Sequence, residues 1–145
     1  MERYHWTLLA TKLANTSGLS PVQLQKALFL LAKGMPNAVG SDFYTFIPHN
    51  YGPFSRDIYE DATRLARENL VAITSEGRYP QYRCTPAGEG IAKMMLPTAD
   101  PKAVEYLDNI VTWVQRQTFA GLVSSIYRKF PEYRVNSVFS EQFQP

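Results

Sequence analysis

The chain has 145 residues, 45% of them hydrophobic and 19% charged, with a net charge of +2. That is enough chain to bury one core without a metal or disulfide staple, and its composition is that of a folded globular protein. The mild basic bias, with a pI of about 8.7, falls well short of the footprint that argues for nucleic acid by itself.

A single cysteine, Cys84, rules out an internal disulfide and points to a reducing compartment. Met1 to Trp6 carry no apolar stretch of signal-peptide length. The longest apolar run, Ala27 to Ala32, is too short to span a bilayer. A cytoplasmic protein with no membrane partner is expected. Aromatic residues make up 13% of the chain, and such side chains suit binding surfaces as well as cores.

The first predicted helix runs from Tyr4 to Asn15, with Trp6, Leu9 and Leu13 on one face. Thr16-Ser17-Gly18 ends it. Ser20 caps the second helix, Pro21 takes its first position and Gln23 completes a Ser-x-x-Gln capping box. Leu24, Leu28 and Leu31 form its stripe, and Gly34 and Pro36 stop it. Phe43 to Ile47 reads as a short strand limited by Pro48, with Phe43 and Ile47 on one side and Tyr44 and Phe46 on the other. Tyr51-Gly52-Pro53 reads as a turn. Ser55 then caps a third helix, Arg56 to Asn69, with Ile58, Ala62 and Leu65 inside.

Leu70 to Thr74 and Tyr79 to Cys84 read as a hairpin around Ser75-Glu76-Gly77-Arg78, its second strand placed at an edge by Pro80. Thr85 and Pro86 open a short helix to about Met95. Three helices followed by a hairpin is the order of a winged helix, and the strand before the third helix would join the wing. Leu96 to Pro101 is a break. Asp100 caps a helix from Pro101 to Gln117, with Val104, Leu107, Val111 and Val114 in heptad spacing. This stripe would pack either on the core or on a second copy, making a homodimer. Thr118 caps a last helix, Phe119 to Phe130, which Pro131 stops. The pattern leaves Tyr133 to Pro145 unassigned. The expected fold is therefore α+β and mainly helical. It is one domain, with a winged-helix-like core over residues 1–96 and two or three further helices over 97–145.

No catalytic constellation emerges. His5 and His49 have no His or Cys neighbours at metal spacing, so neither a metal nor a cofactor is expected. His49 reads as a loop residue whose ring packs on Tyr51, and Cys84 as a small core filler. No glycine loop for phosphates follows a strand. Glu60-Asp61 reads as exposed helix surface rather than an acid/base pair. The chain is expected not to be an enzyme.

Two binding readings remain. A winged-helix regulator would use Arg56, Arg64 and Arg67 on the third helix and Arg78 and Arg83 on the wing to hold DNA. Against this, the third helix also carries Asp57, Glu60, Asp61 and Glu68, and Arg64 and Glu68 are spaced to pair. Alternatively, aromatics crowd Phe43 to Tyr59, and those left exposed around Tyr51-Gly52-Pro53 would anchor a partner protein.

Leu24-Gln25-Lys26-Ala27-Leu28-Phe29 resembles the LQKLLY helix of the Panacea antitoxin-domain family, which includes SocA-like and GepA-like proteins. Tyr51-Gly52-Pro53 followed by Ile58-Tyr59 is similar to that family's YGP…VY element. The likeness covers about residues 20–70, with the two motifs in the same order and at similar spacing. His49-Asn50 stands where the family commonly has a tryptophan-containing lead-in. The helices from Pro101 to Phe130 have no counterpart in the resemblance. The resemblance implies a non-catalytic antitoxin or adaptor that binds a partner protein such as a toxin. His49, Asn50, Tyr51, Gly52, Pro53, Phe54 and Tyr59 are the candidate contact residues.

Overall fold

The computed structural model describes residues 1–75, 77 and 79–139. Arg78, one of the candidate DNA contacts, Glu76 and residues 140–145 lie outside the described residues. The fold is α+β and mainly helical.

Helix α1 spans Arg3–Leu13, and a 3₁₀ turn over Asn15–Ser17 leads to α2, Pro21–Gly34. The Ser20 hydroxyl accepts the Gln23 N–H at 3.3 Å, and the Gln23 side chain accepts the Ser20 N–H at 2.8 Å. This is the reciprocal cap read from the sequence. Pro36 ends α2 but also opens a short helix, α3, over Pro36–Val39, because its fixed φ suits a first helical position.

The stretch after α3 corrects the sequence reading. No strand covers Phe43 to Phe46. Phe43 and Tyr44 are consecutive yet both buried, while Ile47 is 60% exposed, so the expected alternation fails. Polar bonds draw Tyr44 inward. Its hydroxyl donates to Asp61 at 2.6 Å and lies 2.7 Å from the Thr7 hydroxyl. Strand β1 is Ile47–His49, which puts Pro48 inside it, and β2 is Gly52–Phe54. They pair antiparallel, so Asn50 and Tyr51 form the turn while Gly52 and Pro53 belong to β2.

Helix α4, Arg56–Arg67, buries Ile58, Ala62 and Leu65 as expected, although Ser55 makes no side-chain cap bond. Strands β3 (Val71–Thr74) and β4 (Gln81–Cys84) form the wing. The β1–β2 pair is a separate sheet and does not join them. Leu19, between α1 and α2, does so instead. Its N–H donates to the Tyr82 carbonyl at 3.0 Å, and the Tyr82 N–H donates back at 2.7 Å.

Helices α5 (Pro86–Met95), α6 (Pro101–Arg116) and α7 (Phe119–Lys129) follow. Thr85, Asp100 and Thr118 each accept a backbone N–H at the helix start. Pro131 stops α7 and opens a 3₁₀ turn, Pro131–Arg134. Helix α6 lies against α2 and α1. Ala103, Leu107, Ile110, Val111 and Val114 are buried in the same cluster as Trp6, Leu28 and Phe29, whereas Val104 sits half-buried at its edge. The α6 stripe thus faces the core of its own chain. Leu107 is fully buried there, so Leu107→Ala should lower stability by about 2–5 kcal/mol in urea unfolding. A loss below 0.5 kcal/mol, roughly that of an ordinary surface change, would contradict this packing.

Candidate functional site

Helix α2 has no polar face where it passes under the β1–β2 hairpin. Every residue from Leu24 to Phe29 is buried, including Gln25 at 1% and Lys26 at 3% exposure. A buried amide or ammonium is costly without partners. Gln25 finds a backbone donor and a backbone acceptor on one residue at the hairpin's exit. Its Nε2 donates to the Ser55 carbonyl and its Oε1 accepts the Ser55 N–H, each at 2.8 Å. The Lys26 Nζ donates to the Pro53 carbonyl at 3.1 Å.

The hairpin's sequence makes this possible. Pro48 faces Pro53 across the pair. Two residues without N–H groups suit a non-hydrogen-bonded position, where both carbonyls point away from the partner strand. The Pro53 carbonyl meets Lys26, and the Pro48 carbonyl accepts from Asn136 Nδ2 at 3.4 Å. Gly52 takes φ +105°, leaving Asn50 and Tyr51 with ordinary negative φ in a two-residue turn. A Cβ at Gly52 would also stand 3.3 Å from the Tyr127 ring and 3.8 Å from Lys26 Nζ.

Beside this hairpin lies a cleft of about 230 Å³. His49, Asn50, Tyr51, Gly52, Phe54 and Tyr59 all line it, together with Lys26. The structure thus gathers six of the seven candidate contact residues, while Pro53 contributes its carbonyl from behind. The His49 ring packs edge-on against Phe54 at 4.7 Å rather than on Tyr51. Tyr51 instead meets Phe119 at 5.1 Å, because the turn leans toward the start of α7. Phe54 also packs on Tyr59 at 5.5 Å. Burial pushes the Tyr59 hydroxyl up to about 12, with Tyr82 adding to the shift. The tail crosses the hairpin turn, where the Val138 N–H donates to the Asn50 carbonyl at 3.0 Å and the Ser137 hydroxyl does so at 3.2 Å.

Burial alone pulls the Lys26 ammonium down from 10.5 to about 7. Among the described residues no acid offsets it, and the Pro53 carbonyl is its one hydrogen-bond acceptor.

The nucleic-acid candidates are less concentrated. Arg56 pairs with Glu60 at 3.7 Å and Arg64 with Glu68 at 3.8 Å, all exposed. Arg64 also lies over the Tyr4 ring at 4.3 Å. Arg67 is exposed on α4 near Phe54 and Tyr59, and Arg83 is half-buried in β4. Asp61 corrects the reading of Glu60-Asp61 as plain surface. Its side chain is 13% exposed and accepts hydrogen bonds from Arg3 Nε at 3.1 Å and from the Tyr44 hydroxyl. Since Tyr44 spends its one proton there, Thr7 is the donor to Tyr44. Arg3 reaches Asp57 as well, at 3.2 Å, tying α1 to α4. Cys84 is half-buried in β4, its thiol pushed up by burial, while His49 stands on a different sheet. Among the described residues no three His, Cys, Asp or Glu side chains gather where a metal would be held. No described helix is long and apolar enough to cross a membrane.

Gln25 and Lys26 were not among the sequence candidates. Their signal was a polar pair inside Leu24 to Phe29, at positions where a helix packed on both sides leaves no outlet to water. Gln25→Ala strands the buried Ser55 N–H, so it should cost about 1–3 kcal/mol in urea unfolding. A neutral result would mean that water replaces the amide.

Lys26→Met tests the buried charge through pH. Below pH about 7, folded and unfolded chains both carry the proton and the burial cost is present in full. Between about 7 and 10.5 only the unfolded chain binds it. Wild-type stability should therefore rise with pH relative to Lys26→Met, by up to about 1.4 kcal/mol per unit. Parallel curves for the two proteins would show that Lys26 titrates normally.

No protein-family model matches this chain, and no curated protein does so either.

Proposed function

We propose that this chain is a non-catalytic binding protein of the antitoxin or adaptor type, which holds a partner protein at the β1–β2 hairpin and its cleft. One observation carries the reading. Two buried polar side chains of α2 are committed to fixing the backbone of a short hairpin whose turn stays outside. Ile47 is 60% and Tyr51 39% exposed there, with His49 and Asn50 also open to solvent. Fixing a loop in advance lowers the entropy cost of binding, and an aromatic on such a loop is an effective anchor. The likeness of Leu24 to Phe29 and of Tyr51-Gly52-Pro53 to the Panacea motifs points the same way. The clamp also supplies a physical reason for the two motifs to occur together, since residues of the first hold the backbone of the second.

A second reading, a winged-helix DNA-binding regulator, is favoured by the order α1, α2, α4, β3, β4 and by Leu19 completing the wing. Its weak point is α4, where Arg56 and Arg64 already have acids one turn away.

Tagged wild type and Tyr51→Ala would be used to recover partners from native cells at moderate salt, with and without nuclease. The expected result is one stoichiometric protein that survives nuclease. Its recovery should fall with Tyr51→Ala, by about thirtyfold in affinity if Tyr51 is an anchor worth 2 kcal/mol. No protein partner, but bound DNA whose retention falls steeply with salt and with substitution of Arg64 and Arg67, would replace this reading with the regulator.

A further inference from the structure

Among the described residues the Lys26 ammonium has no anionic partner. It is 3% exposed and lines the cleft together with Gly52, Tyr51, Phe54 and Tyr59. An ammonium has three N–H donors, and among the described residues only the Pro53 carbonyl takes one. Among the described residues no acid lines the cleft. A buried charge normally has a counter-ion, and one left unpaired is costly to the fold. The position is also kept open. Gly52 has no side chain to fill the space 3.8 Å from Nζ.

We propose that the cleft receives an acidic side chain, Asp or Glu, of the partner protein, its carboxylate seated on the Lys26 ammonium and its stem between Phe54, Tyr59 and Tyr51. This rests on the partner-binding reading above and specifies the chemistry of that same site. A single lysine matches the single charge of a carboxylate, whereas a phosphate dianion would call for several donors or an arginine fork. The rings of Tyr51, Phe54 and Tyr59 are among the residues that line it, which suits a methylene stem. Burial depresses the Lys26 value, and a bound carboxylate would raise it.

The test uses the full chain and three capped or uncapped peptides. These are acetyl-Ala-Glu-Ala-amide, its Gln counterpart, and acetyl-Ala-Ala with a free carboxyl end. NMR would follow the Lys26 side-chain signals and the Gly52 and Ser55 amides, below pH 7 so that the ammonium is charged. The Glu peptide should give saturable shifts at these positions, with the Gln peptide at least tenfold weaker. Lys26→Met, a near-isosteric apolar replacement, should abolish the Glu response. Its spectrum elsewhere reports whether the fold is kept, and Lys26→Arg serves as a second variant that retains the charge. Equal responses to Glu and Gln, no response at all, or a Glu response surviving in folded Lys26→Met would each overturn the proposal. A response to the free-ended peptide alone would overturn the side-chain assignment in favour of a chain terminus.

Partner capture separates this from the broader reading. Capture of a partner that is lost with Tyr51→Ala but unchanged with Lys26→Met would leave the docking reading standing and defeat the carboxylate. A Glu response in a chain that captures no partner would do the reverse.

Discussion

The arrangement of this molecule around its candidate site depends on one side chain. Gln25 grips both the N–H and the C=O of Ser55 from the stretch of α2, Leu24 to Phe29, in which every residue is buried. It behaves as a strand edge supplied by a side chain. β1 and β2 are three residues each and contain two prolines, which is too little to stand as a hairpin on its own. Gln25 and Lys26 give the hairpin the anchorage that its ladder lacks, and the core around Leu24, Leu28 and Leu31 holds those two residues in register.

A second polar device works alongside the first. Thr7, Tyr44, Asp61, Arg3 and Asp57 form a chain of bonds that ties α1, the stretch after α3, and α4 together. Tyr44 lies just before the hairpin and Asp61 just after it, so this chain fixes the two arms of the segment while Gln25 and Lys26 fix its middle. The result is a short, rigid projection flanked by a cleft. Buried polar networks of this kind are favourable only when their members are satisfied. Gln25, Tyr44 and Asp61 meet that condition. Lys26 does so with one donor, and this makes it the place where an added group would change the energetics most.

The sequence announced its helices well because their signals are local. Ser20, Thr85, Asp100 and Thr118 cap the helices they precede, and the α4 stripe of Ile58, Ala62 and Leu65 is buried as its spacing implied. It announced the region between α3 and α4 poorly because the forces there are long-range. Aromatic content suggested a strand at Phe43 to Ile47, but Tyr44 follows Asp61, seventeen residues away. Prolines at 48 and 53 read as breakers, yet facing each other they occupy positions that need no donor. Six of the seven candidate contact residues line one cleft because they lie close together in sequence. Gln25 and Lys26 were not among the sequence candidates, because an amphipathic reading of α2 assigns its polar positions to solvent, and here a second layer covers them.

The hairpin's exit is held by the core and is not a surface loop. The most direct test is amide hydrogen exchange of the wild-type chain, read at Ser55. The account predicts protection comparable to that of the buried turns of α2, since the Ser55 N–H opens only when Gln25 does. Exchange at the rate of an exposed turn would show that the amide clamp does not hold in solution, and the basis for a preformed site would fall with it.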